Sequence, residues 1–352
     1  MRQKAYNTSE GSERVVLRQK RVWVGFLVTL VFLALFVRQV EFSRIGETLA
    51  AAQFVWLIPA VPCYFLGVWF RAARWRHLLL PLRSFSTGLL FPYVVIGYMA
   101  NDLLPMRVGE LVRAYVFGTK RDMPKSPVLG TIALERLTDG ITLLAFAALI
   151  GVFVPFEGWV GQTLRLTGAA FVGGLAALLL VVRFELASLA LLLRVTRVLP
   201  VKARATLLAV AEGLLAGMAS LRSPRQILGV SVFSLLAWGS EAGVFYFVGL
   251  ALGLDMPLYV YFLAMSLGNL VTALPSSQAG IGPFEYFTAQ ALVLFSVDAS
   301  LAGIYALLVH AVLIVPVVLL GLVYLWIEQF SLGEIVARAT SEPIIPKAQA
   351  AE

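Results

Sequence analysis

The chain alternates long apolar runs with short polar and basic stretches. Six runs are candidate full membrane spans: Val22–Val37, Phe54–Phe70, Val128–Val154, Leu164–Val182, Ile227–Ala251 and Ala299–Ile327. Each is near the ~20 residues that a helix needs to cross a bilayer core. Two further apolar pairs are interrupted. Gly88–Leu104 with Val108–Gly118 breaks at Pro105, and Leu258–Leu274 with Phe284–Ser296 breaks between Pro275 and Pro283. Proline removes a helix donor and glycine permits a tight turn, so each pair predicts a re-entrant helical hairpin. Backbone groups freed at such breaks cannot face lipid, so the tips must line a cavity or be buried in protein.

The basic residues order these segments. Arg71, Arg74, Arg76 and Arg83 precede the first pair, and Lys120, Arg121 and Lys125 follow it. Both flanks are then cytoplasmic, and the pair enters from the cytoplasm and returns there. Residues 183–225 carry seven Lys or Arg, whereas Gln226 to Ala337 carries none, so the second hairpin is placed by counting spans and dips in from outside. The basic stretch 186–221 reads as amphipathic helices broken at Pro200 on the cytoplasmic surface. The first run lacks a small-x-small cleavage pattern and reads as a retained span rather than a signal peptide.

The predicted fold is an all-α polytopic integral membrane protein with about six full transmembrane helices and two re-entrant hairpins. Residues 1–21 and 331–352 read as disordered cytoplasmic tails, and 22–330 as one transmembrane domain. Its halves, about 22–154 and 164–327, repeat a plan: an Asn (Asn101, Asn269), a Leu-Pro pair, a glycine turn, then a Glu opening a helix (Glu110, Glu285). The Leu-Pro pairs are 170 residues apart, and the hairpins enter from opposite sides, which is the signature of an inverted repeat.

Composition agrees with the membrane assignment: 60% of the 352 residues are apolar and 14% charged, about half the charge of a soluble domain. The net charge of +8 is spread between the spans, so it marks orientation and gives no nucleic-acid face. One cysteine and two widely separated histidines predict no disulfide framework and no metal or other cofactor. The sequence has no Walker loop, no His-Glu-x-x-His and no Gly-x-Ser-x-Gly.

A charge inside a membrane segment costs ~2.5–3.5 kcal/mol, which makes the few that occur informative. Arg107, Glu110 and Arg113 lie at the first break, with Glu110 and Arg113 on one helix face. Glu135 and Asp139 share a face early in the next span, while Arg136 points about 100° away and could reach the first hairpin. Asn101, Asn269, Ser276, Ser277, Gly280, Gly282 and Glu285 complete the candidate substrate-binding set. One reading is a polar cavity in which arginines grip a phosphate; the other is a buried ion-pair lattice that fixes the hairpins. Arg71, Arg74 and Arg76 with Trp69 and Trp75 read as an interfacial anchor, and His310 as a satisfied interior histidine.

Arg71-Ala72-Ala73-Arg74-Trp75, Asn101 through Glu110 with Arg113, Glu135-Arg136-Leu137-Thr138-Asp139, and Pro275 through Glu285 resemble, in this order, the transmembrane, flippase-like domain of the lysylphosphatidylglycerol synthase family. The resemblance covers about residues 20 to 330. It implies a lipid-handling domain, in bifunctional relatives coupled to a soluble aminoacyl-transferase domain. About 20 residues follow the last span here, so the expectation is a stand-alone member without that domain. Gln278-Ala279 stands where relatives often have Pro-Gly or Gly-Gly.

The expected activity is movement of an anionic phospholipid or polyprenyl-phosphate-linked glycolipid across a prokaryotic cytoplasmic membrane, without catalysis. Arg107 and Arg113 would bind the headgroup phosphate, Glu110, Glu135 and Asp139 would pair with arginines or take up protons, and Glu285 would close the opposite gate. The alternatives are a membrane-embedded transferase using Asp102, Glu110 or Asp139, and a non-catalytic partner of a lipid or glycolipid synthase. The partners expected are membrane lipids and a lipid-modifying transferase.

Overall fold

The computed structural model describes residues 20–38, 41–104, 108–154, 158–198, 200–273 and 278–331. The two tails, apart from Lys20, Arg21 and Ser331, lie outside the described residues. The described residues are helical with no strand. Four helical stretches among them are long and apolar enough to cross a membrane: Phe54–Leu79, Lys125–Phe153, Pro224–Ala251 and Ala299–Ile327.

In chain order the helices are α1 Lys20–Val37, α2 Phe42–Ala51, α3 Leu57–Leu79, α4 Thr87–Leu103, α5 Gly109–Arg121, α6 Lys125–Phe153 and α7 Gly158–Arg183. They continue as α8 Glu185–Val195, α9 Val201–Gly217, α10 Pro224–Ala251, α11 Leu258–Leu270, α12 Pro283–Val293 and α13 Ala299–Ile327. The two interrupted runs are thus α4 with α5 and α11 with α12. Four of the six expected spans are these membrane-length helices, with shifted ends. The largest shift is in α3, which runs nine residues past Phe70 because Arg71-Ala72-Ala73-Arg74-Trp75-Arg76 holds no helix breaker. It stops two residues short of Pro81, next to a proline that disfavours helical backbone before it.

The chain forms two compact units. The first comprises residues 1–64, 98–109 and 241–337. In it α12 packs against α11, α13 and α1. Gly268 of α11 lets Thr288 and Phe284 come close; a Cβ there would lie 2.2 Å from Thr288 Oγ1. Phe32 of α1 meets the rings of Tyr286 and Phe287. Gly282, at φ 95°, precedes α12 and sits under Thr29 O, which a Cβ would approach to 2.9 Å. Asp298 caps α13 by accepting the Ser300 and Leu301 N–H groups, both at 3.1 Å.

The second unit comprises residues 65–97, 110–240 and 338–352. Here α9 docks along the start of α6 through three glycines. A Cβ on Gly130 would lie 2.4 Å from Leu214 O, one on Gly217 would lie 2.1 Å from Pro127 O, and one on Gly213 would lie 2.3 Å from Ser126 Oγ. The helices of 186–221 do break at Pro200, which immediately precedes α9. The helix α9 is not simply laid on a surface, however, because this seam joins it to a membrane-length helix.

Candidate functional site

Three helices of the second unit place an arginine or a carboxylate into one buried cluster. Glu135 of α6 is its centre, with no exposed surface. Arg113 of α5 grips it with both terminal nitrogens, Nη1 to Oε1 at 3.0 Å and Nη2 to Oε2 at 3.1 Å. This is the bidentate fork that a planar guanidinium and a carboxylate form best. Arg136 Nη2 donates to the same Oε1 at 3.0 Å, and Arg74 Nη2 of α3 lies 3.5 Å from it. Arg74 Nη1 also donates to Asp139 Oδ1 at 2.5 Å and to Ser234 Oγ of α10 at 3.0 Å. Trp238 Nε1, one turn beyond Ser234, donates to Asp139 Oδ1 at 2.9 Å.

Aromatic faces complete the cluster. The Arg113 guanidinium lies 3.7 Å from the Trp75 ring centroid, and that of Arg71 lies 4.5 Å from Trp238. Trp75 is fixed by its Nε1–H donated to Thr131 Oγ1 at 2.9 Å. Four arginines, 71, 74, 113 and 136, thus surround two carboxylates and two indoles. Their exposure is unequal: the side chains of Arg74 and Arg113 are 0% and 4% exposed, while that of Arg136 is 38% exposed. Arg136 also reaches Asp139 Oδ2 at 3.3 Å. It therefore turns back to the carboxylates of its own helix, and the contact from the first hairpin to Glu135 is made by Arg113.

Arg74 and Trp75 overturn the expected interfacial anchor. Both are fully buried in protein, and Arg71 is nearly so. The signal was in the spacing: Gly67, Arg71, Arg74 and Leu78 fall on one helical stripe, which faces inward. Ser234 and Trp238, an i, i+4 pair on α10, were also missed because neither is charged.

The remaining expected residues divide as follows. Glu110 lies in the first turn of α5, three residues before Arg113. Asn101 Oδ1 accepts the Gly109 N–H at 2.8 Å, so the first arm of the hairpin caps the start of the second. In the first unit, Asn269 Nδ2 donates to Glu241 Oε1 at 2.9 Å and to Met265 O at 3.0 Å. Gly280 and Gly282 take φ of 78° and 95° at the second break, with Ala279 at 55° between Gln278 and Gly280. An alanine thus stands in left-handed backbone, a conformation that favours glycine. Glu285 accepts the Gly282 N–H on Oε2 at 2.7 Å and meets His310 Nδ1 with Oε1. His310 is accordingly a satisfied interior histidine. Arg107, Ser276 and Ser277, with Pro105 and Pro275, lie outside the described residues. Among the described residues no three His, Cys, Asp or Glu side chains converge to hold a metal.

Residues 22–321 match the family described as the lysylphosphatidylglycerol synthase TM region. The chain belongs to that family. Two relatives differ in how much of their length the match covers. The glycosyltransferase AglD of Haloferax volcanii is 28% identical over 332 residues, covering 84% of this chain and 53% of that protein. The UPF0104 membrane protein MJ1078 of Methanocaldococcus jannaschii is 23% identical over 232 residues, covering 65% of this chain and 94% of that protein. The chain therefore spans about half the length of the glycosyltransferase and nearly all of the membrane protein. No solved structure matches the chain. The family match and the membrane-length helices make this a multi-pass membrane protein of a family with lipid or glycolipid context.

Proposed function

We propose that this lysylphosphatidylglycerol synthase TM-region protein moves an anionic lipid across the cytoplasmic membrane of a prokaryote, with both termini on the cytoplasmic side. The lipid is a phospholipid or a polyprenyl-phosphate-linked glycolipid. The observation that carries this reading is the Arg136 side chain, 38% exposed at the edge of a cluster whose other charges are sealed. An anionic headgroup meeting the exposed Arg136 would make a charge-assisted contact there. Arg113, held in a bidentate pair, is assigned to positioning Glu135 and through it Arg136, in place of direct phosphate contact. Arg107 stays a headgroup ligand in this proposal on the strength of its place at the first break.

The test is transbilayer movement of fluorescent phosphatidylglycerol in proteoliposomes. Arg136→Ala is expected to reduce the protein-dependent rate by at least tenfold with the protein still monodisperse, because a charge-assisted contact is worth ~1.5–3 kcal/mol. An unchanged rate would remove Arg136 from the mechanism.

A second reading has one observation in its favour: the match covers half of a protein named a glycosyltransferase. The chain would then be the membrane partner of a lipid-modifying transferase. Restoration of glycosyl or aminoacyl transfer to lipid by a specific added enzyme, with no lipid movement by the chain alone, would favour it.

A further inference from the structure

The helix α11 is apolar, aromatic or glycine at every position except Ser266 and Asn269, and Thr272 follows in the turn after it. Successive members of this set are three residues apart, so they form one polar stripe along α11 and its end. Asn269 joins the stripe to α10. Its Nδ2 donates to Glu241 Oε1 at 2.9 Å and to Met265 O at 3.0 Å, and its own O accepts the Thr272 hydroxyl at 2.6 Å. All of these residues belong to the first unit. Glu241 is the one charged residue of α10 within that unit, and it is buried.

Two observations point to a ligand at this place. Ser266 is fully buried, and its hydroxyl has no hydrogen-bond partner among the described residues. A buried hydroxyl is costly in that state, and this one lies one turn before Asn269 on the same face. The second observation is the placing of charge. The last turn of a helix carries partial negative charge on its carbonyl groups, and α11 ends at Leu270, next to the residue that holds the Glu241 carboxylate. The flanking positions Ala242, Val244, Phe245, Leu267 and Leu270 are buried and apolar. Two negative features are thus held together in an apolar setting, and a cation there is stabilised by both.

The donor set selects the ion. It consists of carboxylate, amide, hydroxyl and helix-end carbonyl oxygens, which suit a hard cation. One carboxylate balances a single positive charge, whereas a divalent ion would leave net charge in an apolar site. Interrupted membrane helices present their C-terminal carbonyls to Na+ in the same manner. The N–H that Asn269 donates to Oε1 marks the side from which Glu241 takes positive charge. A turn of the amide about its Cβ–Cγ bond exchanges that N–H for Oδ1 and leaves room for the ion between Oδ1 and the carboxylate.

We propose that Glu241, Asn269 and Ser266 form a Na+ site between α10 and the end of α11, at the first arm of the second hairpin. Glu241 supplies the charge, Asn269 Oδ1 and Ser266 Oγ complete the oxygen set, and the C-terminal carbonyls of α11 add their partial charge. The ion binds without any covalent or proton-transfer step. The site does not depend on lipid movement by the protein.

The test uses the full chain in lipid nanodiscs, with NaCl exchanged for choline chloride at constant ionic strength. Radiolabelled Na+ is expected to bind saturably, one ion per chain, and to be displaced by NaCl and not by choline chloride. The unfolding midpoint should rise with the logarithm of Na+ concentration once the site is filled. Glu241→Gln, which keeps an acceptor for Asn269, should weaken Na+ binding by at least about tenfold. Ser266→Ala separates a ligand from a packing residue and serves if the first variant does not fold. It should weaken Na+ binding about tenfold while its midpoint in choline chloride is no lower than the parent's, because the hydroxyl it removes is unsatisfied there. No saturable binding by the parent, or full Na+ affinity in Ser266→Ala, overturns the site. A Ser266→Ala midpoint lowered equally in both salts, as loss of a bridging water would give, overturns it as well. Movement of fluorescent phosphatidylglycerol is measured in parallel. Absent movement with Na+ binding sinks the transport reading alone, and movement without Na+ binding sinks the site alone.

Discussion

Glu135→Gln gives the sharpest test of the buried cluster. The substitution keeps the volume of the side chain and removes its charge. Glu135 accepts two bonds from Arg113 at 3.0 and 3.1 Å and one from Arg136 at 3.0 Å, with Arg74 Nη2 at 3.5 Å. A glutamine offers one acceptor oxygen to these donors and turns an NH2 group toward cations. Removing one partner of a buried pair costs ~3–5 kcal/mol because the other charge is left uncompensated. At ~1.4 kcal/mol per decade, that is about two to four orders of magnitude in the unfolding equilibrium. The whole stability of a domain is ~5–15 kcal/mol, so the variant should fold poorly at elevated temperature. The assay is reversible unfolding in mixed micelles, read by tryptophan fluorescence. A double-mutant cycle then separates the pair from its surroundings. Arg113→Met with Glu135→Leu should cost less than the sum of the single changes by at least ~1 kcal/mol, since neither charge is stranded by the other's loss. If Glu135→Gln lies within ~0.5 kcal/mol of the parent, the carboxylate is not the centre of the cluster and the argument fails.

Two further outcomes follow from local geometry. Gly217→Val puts a side chain where even a Cβ would sit 2.1 Å from Pro127 O, and should separate α9 from α6 at a cost of ~1–3 kcal/mol, read as a lowered unfolding midpoint together with faster proteolysis within 185–222. Asn101→Ala removes the acceptor of the Gly109 N–H and should cost ~0.5–2 kcal/mol, with faster hydrogen exchange confined to the first turn of α5; unchanged exchange there would mean that Asn101 does not cap that helix.

How far the sequence carried depended on the kind of signal. Helix positions followed from hydropathy and from prolines, which act locally. The two breaks were visible because Leu-Pro and glycine sit beside each other in otherwise apolar runs. Arg113, Glu135 and Asp139 were legible because a charge inside an apolar run has to be paired. Arg74 was not, because it lies at the end of a run among other arginines, where a charge at the membrane surface costs little. Only the extension of α3 to Leu79 and its packing turned that stripe inward. The choice between Arg136 and Arg113 as the exposed cation was also beyond the sequence, since Arg113 is enclosed by Glu135 and Trp75 on two other helices.

The two breaks meet the same requirement with different chemistry. Each leaves a backbone N–H at the start of a return helix, and each satisfies it with a side-chain oxygen: Asn101 for Gly109 and Glu285 for Gly282. Asn101 is neutral over the whole physiological range, so its cap is constant. Glu285 brings two acceptor oxygens, and the second meets the imidazole of His310. A neutral acceptor would have sufficed to start α12, as it does for α5. The carboxylate has a second oxygen, and His310 takes it, so starting α12 and anchoring it to α13 are the work of one residue.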